Sequence, residues 1–145
     1  MSLFSSLSVS GSGMSAQRAR AELLVENLAN ADTTRTPEGG PYRRKDVVFE
    51  EDPSVGSFSS ELNSALGSKV SGVAVSQTMI DDREPDRRYM PGHPDADKDG
   101  YVAFPKINAA EDMVDLMGAS RGYEANVAAI SAVKDMIQKS LDLFR

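Results

Sequence analysis

The stretch from Asn108 to Phe144 constrains this chain more than any other. Met113, Leu116, Tyr123, Val127, Ile130, Ile137, Leu141 and Phe144 fall on a register of alternating steps of three and four, with Ser120 and Lys134 in the two gaps. That spacing predicts one long amphipathic helix that packs along its length against other helices. Asn108 is a suitable N-cap, with Glu111 at the N3 position of a capping box. Glu111, Asp112 and Asp115 place negative charge where the helix dipole favours it. No proline follows. Such a helix is roughly 50 Å long, more than a compact chain of 145 residues needs. Something must cover its seam.

A second helical pattern runs from Met14 to Ala31. Met14, Ala21, Leu24, Leu28 and Ala31 keep the same register with Gln17 in the gap, and Ser12 is placed to cap it. Ala16, Ala19 and Ala29 widen this face with small side chains that let another helix approach closely. Asn30, Asp32, Thr33, Thr34, Pro37 and Gly39-Gly40-Pro41 then make a dense turn signal. Residues 1–12, rich in Ser and Gly, read as a disordered arm or a short docking helix. At roughly 27 Å the N-terminal helix leaves about 25 Å of the longer seam uncovered, unless residues 1–12 extend it. Each large apolar side chain left in water forfeits about 1.5–3 kcal/mol, so neighbouring subunits are the economical cover.

Between the helices the pattern changes. Tyr42–Phe49, Val70–Ile80 and Tyr101–Phe104 have extended character, with Val73, Val75, Gln77 and Met79 on one strand face. Leu62–Leu66 suits a helical turn. The expected fold is mainly α with a β-rich insert. Residues 1–32 and 105–145 form a discontinuous, coiled-coil-like helical domain, and residues 33–104 form an insert of two or three short antiparallel strands with long loops.

Composition narrows the function. Aromatic residues are only 6% of the chain and tryptophan is absent, which is thin for a self-sufficient core. A net charge of -6 without a basic cluster argues against nucleic-acid binding. The absence of cysteine excludes disulfides and thiolate chemistry. No membrane-spanning run and no cleavable signal peptide is expected. Asp95-Ala96-Asp97-Lys98-Asp99-Gly100 matches the first half of a calcium loop, but Lys106 stands where a bidentate Glu is required, so an acidic turn is the better reading. His93, the only histidine, reads as exposed and inert. The run from Asp81 to Arg88 reads as a solvated loop or a polar inter-subunit contact. Met113, Met117 and Met136 suit adaptable packing. No catalytic residues, cofactor or metal ligands emerge.

Two stretches carry a resemblance. SVSGSGMSAQRARAELLVENLANADTTRTPEGGPYRRKDVVF resembles the N-terminal signature of bacterial flagellar basal-body rod proteins, through Asn27-Leu28-Ala29-Asn30 and Thr33-Thr34. PDADKDGYVAFPKIN followed by EDMVDLMGASRGYEANV is similar to the C-terminal signature of the proximal-rod members. The family usually reads Arg-Ala-Tyr-Glu-Ala-Asn-Val where this chain has Gly122, and glycine inside a helix costs about 0.5–1 kcal/mol. The resemblance implies a structural rod subunit in the periplasm, exported by the flagellar type III apparatus without a cleaved signal. It implies partners that are other copies and other rod proteins, with terminal helices lining the wall of a hollow drive shaft around the export channel. The assembly seam would then comprise Met14, Ala21, Leu24, Leu28, Asn30, Met113, Leu116, Tyr123, Val127, Ile130, Ile137, Leu141 and Phe144. A small helical adaptor or secretion chaperone using the same seams is the alternative, and an enzyme ranks third.

Overall fold

The computed structural model describes residues 3–52 and 71–143. Among these residues two helices and four strands appear in the order α1 (Leu3–Ala29), β1 (Lys45–Asp52), β2 (Gly72–Ile80), β3 (Asp86–Tyr89), β4 (Tyr101–Phe104) and α2 (Ala109–Asp142). The fold is mainly helical with short antiparallel strands between the helices. Leu62–Leu66 and Phe144 lie outside the described residues.

Helix α2 follows its sequence signals. Asn108 is the N-cap, and its side-chain oxygen accepts from the backbone N–H of Ala110 and Glu111. The helix then runs 34 residues. Helix α1 takes the alternative in which the N-terminal stretch extends it: it starts at Leu3 and runs 27 residues, so Ser12 is interior rather than the expected cap. The Ser12 hydroxyl donates to the Val9 carbonyl and accepts the N–H of Val73 on β2. This Ser- and Gly-rich stretch has poor intrinsic helicity; packing against α2 and the ribbon holds it helical. At 1.5 Å per residue the helices are roughly 40 and 50 Å long, so the expected mismatch shrinks to about 10 Å.

The helices run antiparallel, since Gly13 meets Asn126, Gln17 meets Gly122, and Arg20 pairs with Asp115 at 3.3 Å. Among the described elements α2 touches only α1, whereas α1 also touches β1 and β2. The β1–β2 ribbon is antiparallel and lies along α1 from Asn27, beside Lys45, to Ser12, beside Val73. Its register pairs Val48 with Gln77 and Phe49 with Val75, skipping Ser76. Alternation on β2 therefore reverses there. Val73 and Val75 share a face with Phe49, while Gln77 and Met79 lie on the other, so the single face expected from sequence is split.

The second hairpin joins β3 to β4. Asp86, Arg87 and Arg88 are strand here, not solvated loop, because Tyr101–Phe104 supplies a ladder partner. Val102, Phe104 and Pro105 are buried, and the Arg88 guanidinium lies 4.7 Å from the Phe104 ring centroid. The intervening turn uses its own carboxylates: Asp97 accepts from the N–H of Asp99 and Tyr101, and Asp95 accepts from Thr34. His93 is half-buried rather than exposed, and its Nδ1 accepts the Asp95 N–H at 3.1 Å.

Candidate assembly interface

Two surfaces of α2 divide the work. Asp112, Ala119 and Val133 are its buried residues, and Gly122 and Asn126 lie on the same side against α1. This intrachain seam is small and polar. A Cβ on Gly122 would come within 3.1 Å of the Gln17 side chain, and one on Gly13 within 3.0 Å of Asn126. Each glycine receives a polar side chain from the facing helix, which fixes both the close approach and the register. Asn126 also donates to the Gly122 carbonyl at 2.8 Å.

Apart from Ile130, Val133 and Ile137, the large apolar side chains point elsewhere. At about 100° per residue, Tyr123, Leu116, Val127 and Met113 lie about 40–120° to one side of Ala119. Val127 is 42% exposed and Leu141 64%, and Met113, Met117 and Tyr123 are exposed too. Leu116, Ile130 and Ile137 are half-buried. On α1, Leu28, Ala21, Met14 and Val25 lie about 40–100° from buried Leu24 in the same sense. In an antiparallel pair, rotation in one sense turns side chains on both helices to one side. Arg20 and Asp115, each about 40° the other way, meet on the side of the ribbon. The helix pair is thus a layer with the ribbon on one face and an open apolar surface on the other.

The predicted seam residues therefore separate. Leu24 is buried within the chain; Ile130 and Ile137, half-buried and within about 20° of Ala119, lie on the seam side of α2; Met14, Ala21, Leu28 and Leu116 border the open face; Met113, Tyr123, Val127 and Leu141 occupy it. Asn30 plays a different part. Its Nδ2 donates to the Glu26 carbonyl and its Oδ1 accepts from the Thr33 hydroxyl, closing the end of α1.

Sequence reasoning missed Asn27, which is 0% exposed. Its Nδ2 donates to the Lys45 carbonyl at 2.8 Å, and its Oδ1 accepts from the Lys45 N–H and the Tyr42 hydroxyl. The side chain behaves as one rung of a β-ladder and joins α1 to β1. Burial, with help from Glu26, pushes the Tyr42 hydroxyl up to about 12. Asp112, 1% exposed, makes the matching joint from α2, with Oδ1 accepting from Arg44 at 2.9 Å. Burial pushes its carboxyl up, against the pull of Arg44. The signal for Asn27 was a polar side chain on the buried side of α1, three residues after Leu24.

Among the described residues no group of three or more His, Cys, Asp or Glu could hold a metal ion, and no helix is long and apolar enough to cross a membrane.

Comparison with known proteins agrees. A family model described as "Flagellar basal body rod FlgEFG protein C-terminal" matches residues 98–143. A flagellar basal-body rod protein FlgC of Bacillus subtilis is 43% identical, with 99% of each chain covered. The FlgC of Borreliella burgdorferi is 40% identical over 100% of this chain and 99% of its own. The FlgC of Salmonella typhimurium is 38% identical over 99% and 98%.

Proposed function

The chain belongs to the FlgC family of flagellar basal-body rod proteins, as a structural subunit of the rod, and from that membership we propose that its open helical face is the surface through which it is built in. The observation that carries this is the isolation of α2. A 34-residue helix has one neighbour among the described elements and shows that neighbour its small and polar residues. Large apolar side chains are kept on the adjoining stripe. Polymerisation through this face, with Tyr123 and Val127 on it and Leu28 at its border, yields a continuous helical wall in the proximal rod, around a channel and under torque. Partners are rod subunits, both copies and relatives, and the role is structural rather than catalytic. Delivery to the periplasm by the flagellar type III apparatus without a cleaved signal completes the reading. An adaptor or chaperone is less favoured, because the relatives are rod proteins across nearly their whole lengths.

Val127→Asp tests it. Placing a charge on the open face should abolish incorporation into basal bodies and motility, as should Leu28→Asp. Normal swimming with the Val127→Asp chain recovered in basal bodies would sink the reading.

A further inference from the structure

His93, the chain's only histidine, sits in the turn between β3 and β4 and has no part in the open helical face. Its side chain and that of Asp95 are each 26% exposed. The ring Nδ1 accepts the Asp95 N–H at 3.1 Å, which makes the imidazole neutral with its proton on Nε2. Asp95 Oδ2 lies 4.0 Å from the same Nδ1, yet it accepts the Thr34 hydroxyl at 2.8 Å. Asp95 Oδ1 is 3.8 Å from the Arg35 guanidinium. On its other side the ring meets Phe104, with centroids 6.4 Å apart, and Arg88 lies 4.7 Å from the Phe104 ring centroid. The charged groups around the imidazole are thus Asp95 on its own turn, Arg35 on the loop after α1, and Arg88 on β3.

Asp95 is a joint. Strands β3 and β4 touch each other and no other helix or strand. Among the described residues, Thr34 and Arg35 are the partners outside this hairpin that its residues reach by hydrogen bond or ion pair. Both contacts end on the one carboxylate that faces His93.

We propose that His93 is a proton-operated latch on this joint, tying the β3–β4 hairpin to the loop after α1 when neutral and releasing it when protonated. Protonation places a hydrogen on Nδ1, where the neutral ring accepts one. The new Nδ1–H and the Asp95 N–H then face each other as two donors, and their bond is lost. Oδ2 is about 1 Å beyond charge-assisted hydrogen-bond distance, so a small rotation of the ring brings the cation onto it. The Thr34 hydroxyl loses its acceptor, and a carboxylate neutralised by His93 holds Arg35 less. Asp95 outweighs the two cations. Arg35 is 81% exposed and screened by water, and Arg88 is separated from the imidazole by the Phe104 ring. Histidine is the side chain whose ordinary charge change falls roughly between pH 5 and 8, so the latch answers to mild acid. It is independent of the rod reading.

The test is a proton–nitrogen NMR titration of the purified full-length chain from about pH 8 to about pH 5.5, with the His93 ring followed in parallel. The Thr34 and Arg35 amide signals should shift with the midpoint of the ring. In His93→Asn, which keeps an acceptor and does not titrate, both shifts should be lost. In Asp95→Asn, which keeps an acceptor for the Thr34 hydroxyl, the ring should titrate while Thr34 no longer follows. Flat Thr34 and Arg35 signals in the natural chain while the ring titrates would overturn the latch. So would shifts that persist in His93→Asn, or a Thr34 signal that still follows the ring in Asp95→Asn. The natural chain carries the decisive comparison even where a variant folds poorly, and basal-body incorporation tests the rod reading separately.

Discussion

The intrachain seam of α2 and the stripe beside it occupy the same helix and obey opposite rules. The seam, through Asp112, Ala119, Gly122, Asn126 and Val133, is small, partly polar and covered. The stripe, through Met113, Tyr123, Val127 and Leu141, is large, apolar and open. A self-sufficient helical hairpin would reverse this, because burying Leu, Met or Tyr stabilises far more than burying Ala or Gly. The difference teaches that the chain's own fold settles register and orientation while leaving the large side chains of the stripe uncovered, as the proposed assembly through that face requires. Close packing of small residues positions the stripe without consuming it.

Three experiments would break or sharpen that contrast. The largest effect is expected from Asn27→Ala, which leaves the Tyr42 hydroxyl and the Lys45 N–H and carbonyl without a partner at a fully buried site. It should cost about 3 kcal/mol in denaturant unfolding of the purified chain. Unchanged stability would mean that this joint does not hold the ribbon to α1.

A middle-sized effect concerns pH. Burial raises the Asp112 carboxyl, so the folded chain holds that proton more tightly than the unfolded chain. On this group's account stability rises as pH falls through its folded value. Asp81 behaves in the opposite way. Hydrogen bonds from Arg83 hold it at about 2, so its contribution is present above the usual Asp value of about 3.9 and is lost between there and about 2. Unfolding midpoints measured from pH 7 to 2 should therefore fall less steeply for Asp81→Asn than for the natural chain. They should fall more steeply for Asp112→Asn. Equal slopes for the two variants would contradict the burial assigned to Asp112.

The smallest effect belongs to Gly122→Ala. Helix propensity favours alanine by about 0.5–1 kcal/mol, but its Cβ meets the flexible end of Gln17. The net change should be within about 0.5 kcal/mol, read as a denaturant midpoint. A loss above about 2 kcal/mol would show that the seam is tighter than Gln17 can relieve.

How much was legible in the sequence follows from the same contrast. The extent of α2 was legible because Asn108 caps it and no proline interrupts it. The apolar register was legible too, but it marked mainly the open face rather than the covered one. Hydropathy reports where large apolar side chains recur, not which partner covers them. The intrachain seam of Ala119, Gly122 and Asn126 carries almost no hydropathy signal. Residues 3–12 left a disordered arm and a docking helix both open, because Ser and Gly disfavour helix locally and contacts such as Gly13 with Asn126, which hold it, leave no local signal. Strand β3 was hidden by the charges of Asp86, Arg87 and Arg88, whose aliphatic stems and backbone still pair with β4. The bulge at Ser76 split an alternation that period-two reading treats as continuous.

The central claim is that the stripe serves neighbours and the seam serves the chain. It is tested most directly by the thermal midpoints of purified full-length Val127→Asp and Ala119→Asp. The stripe variant should melt within roughly 3 °C of the natural chain, and the seam variant roughly 10 °C lower or more, given a few degrees per kcal/mol at this size. A large drop for Val127→Asp with little change for Ala119→Asp would contradict the account.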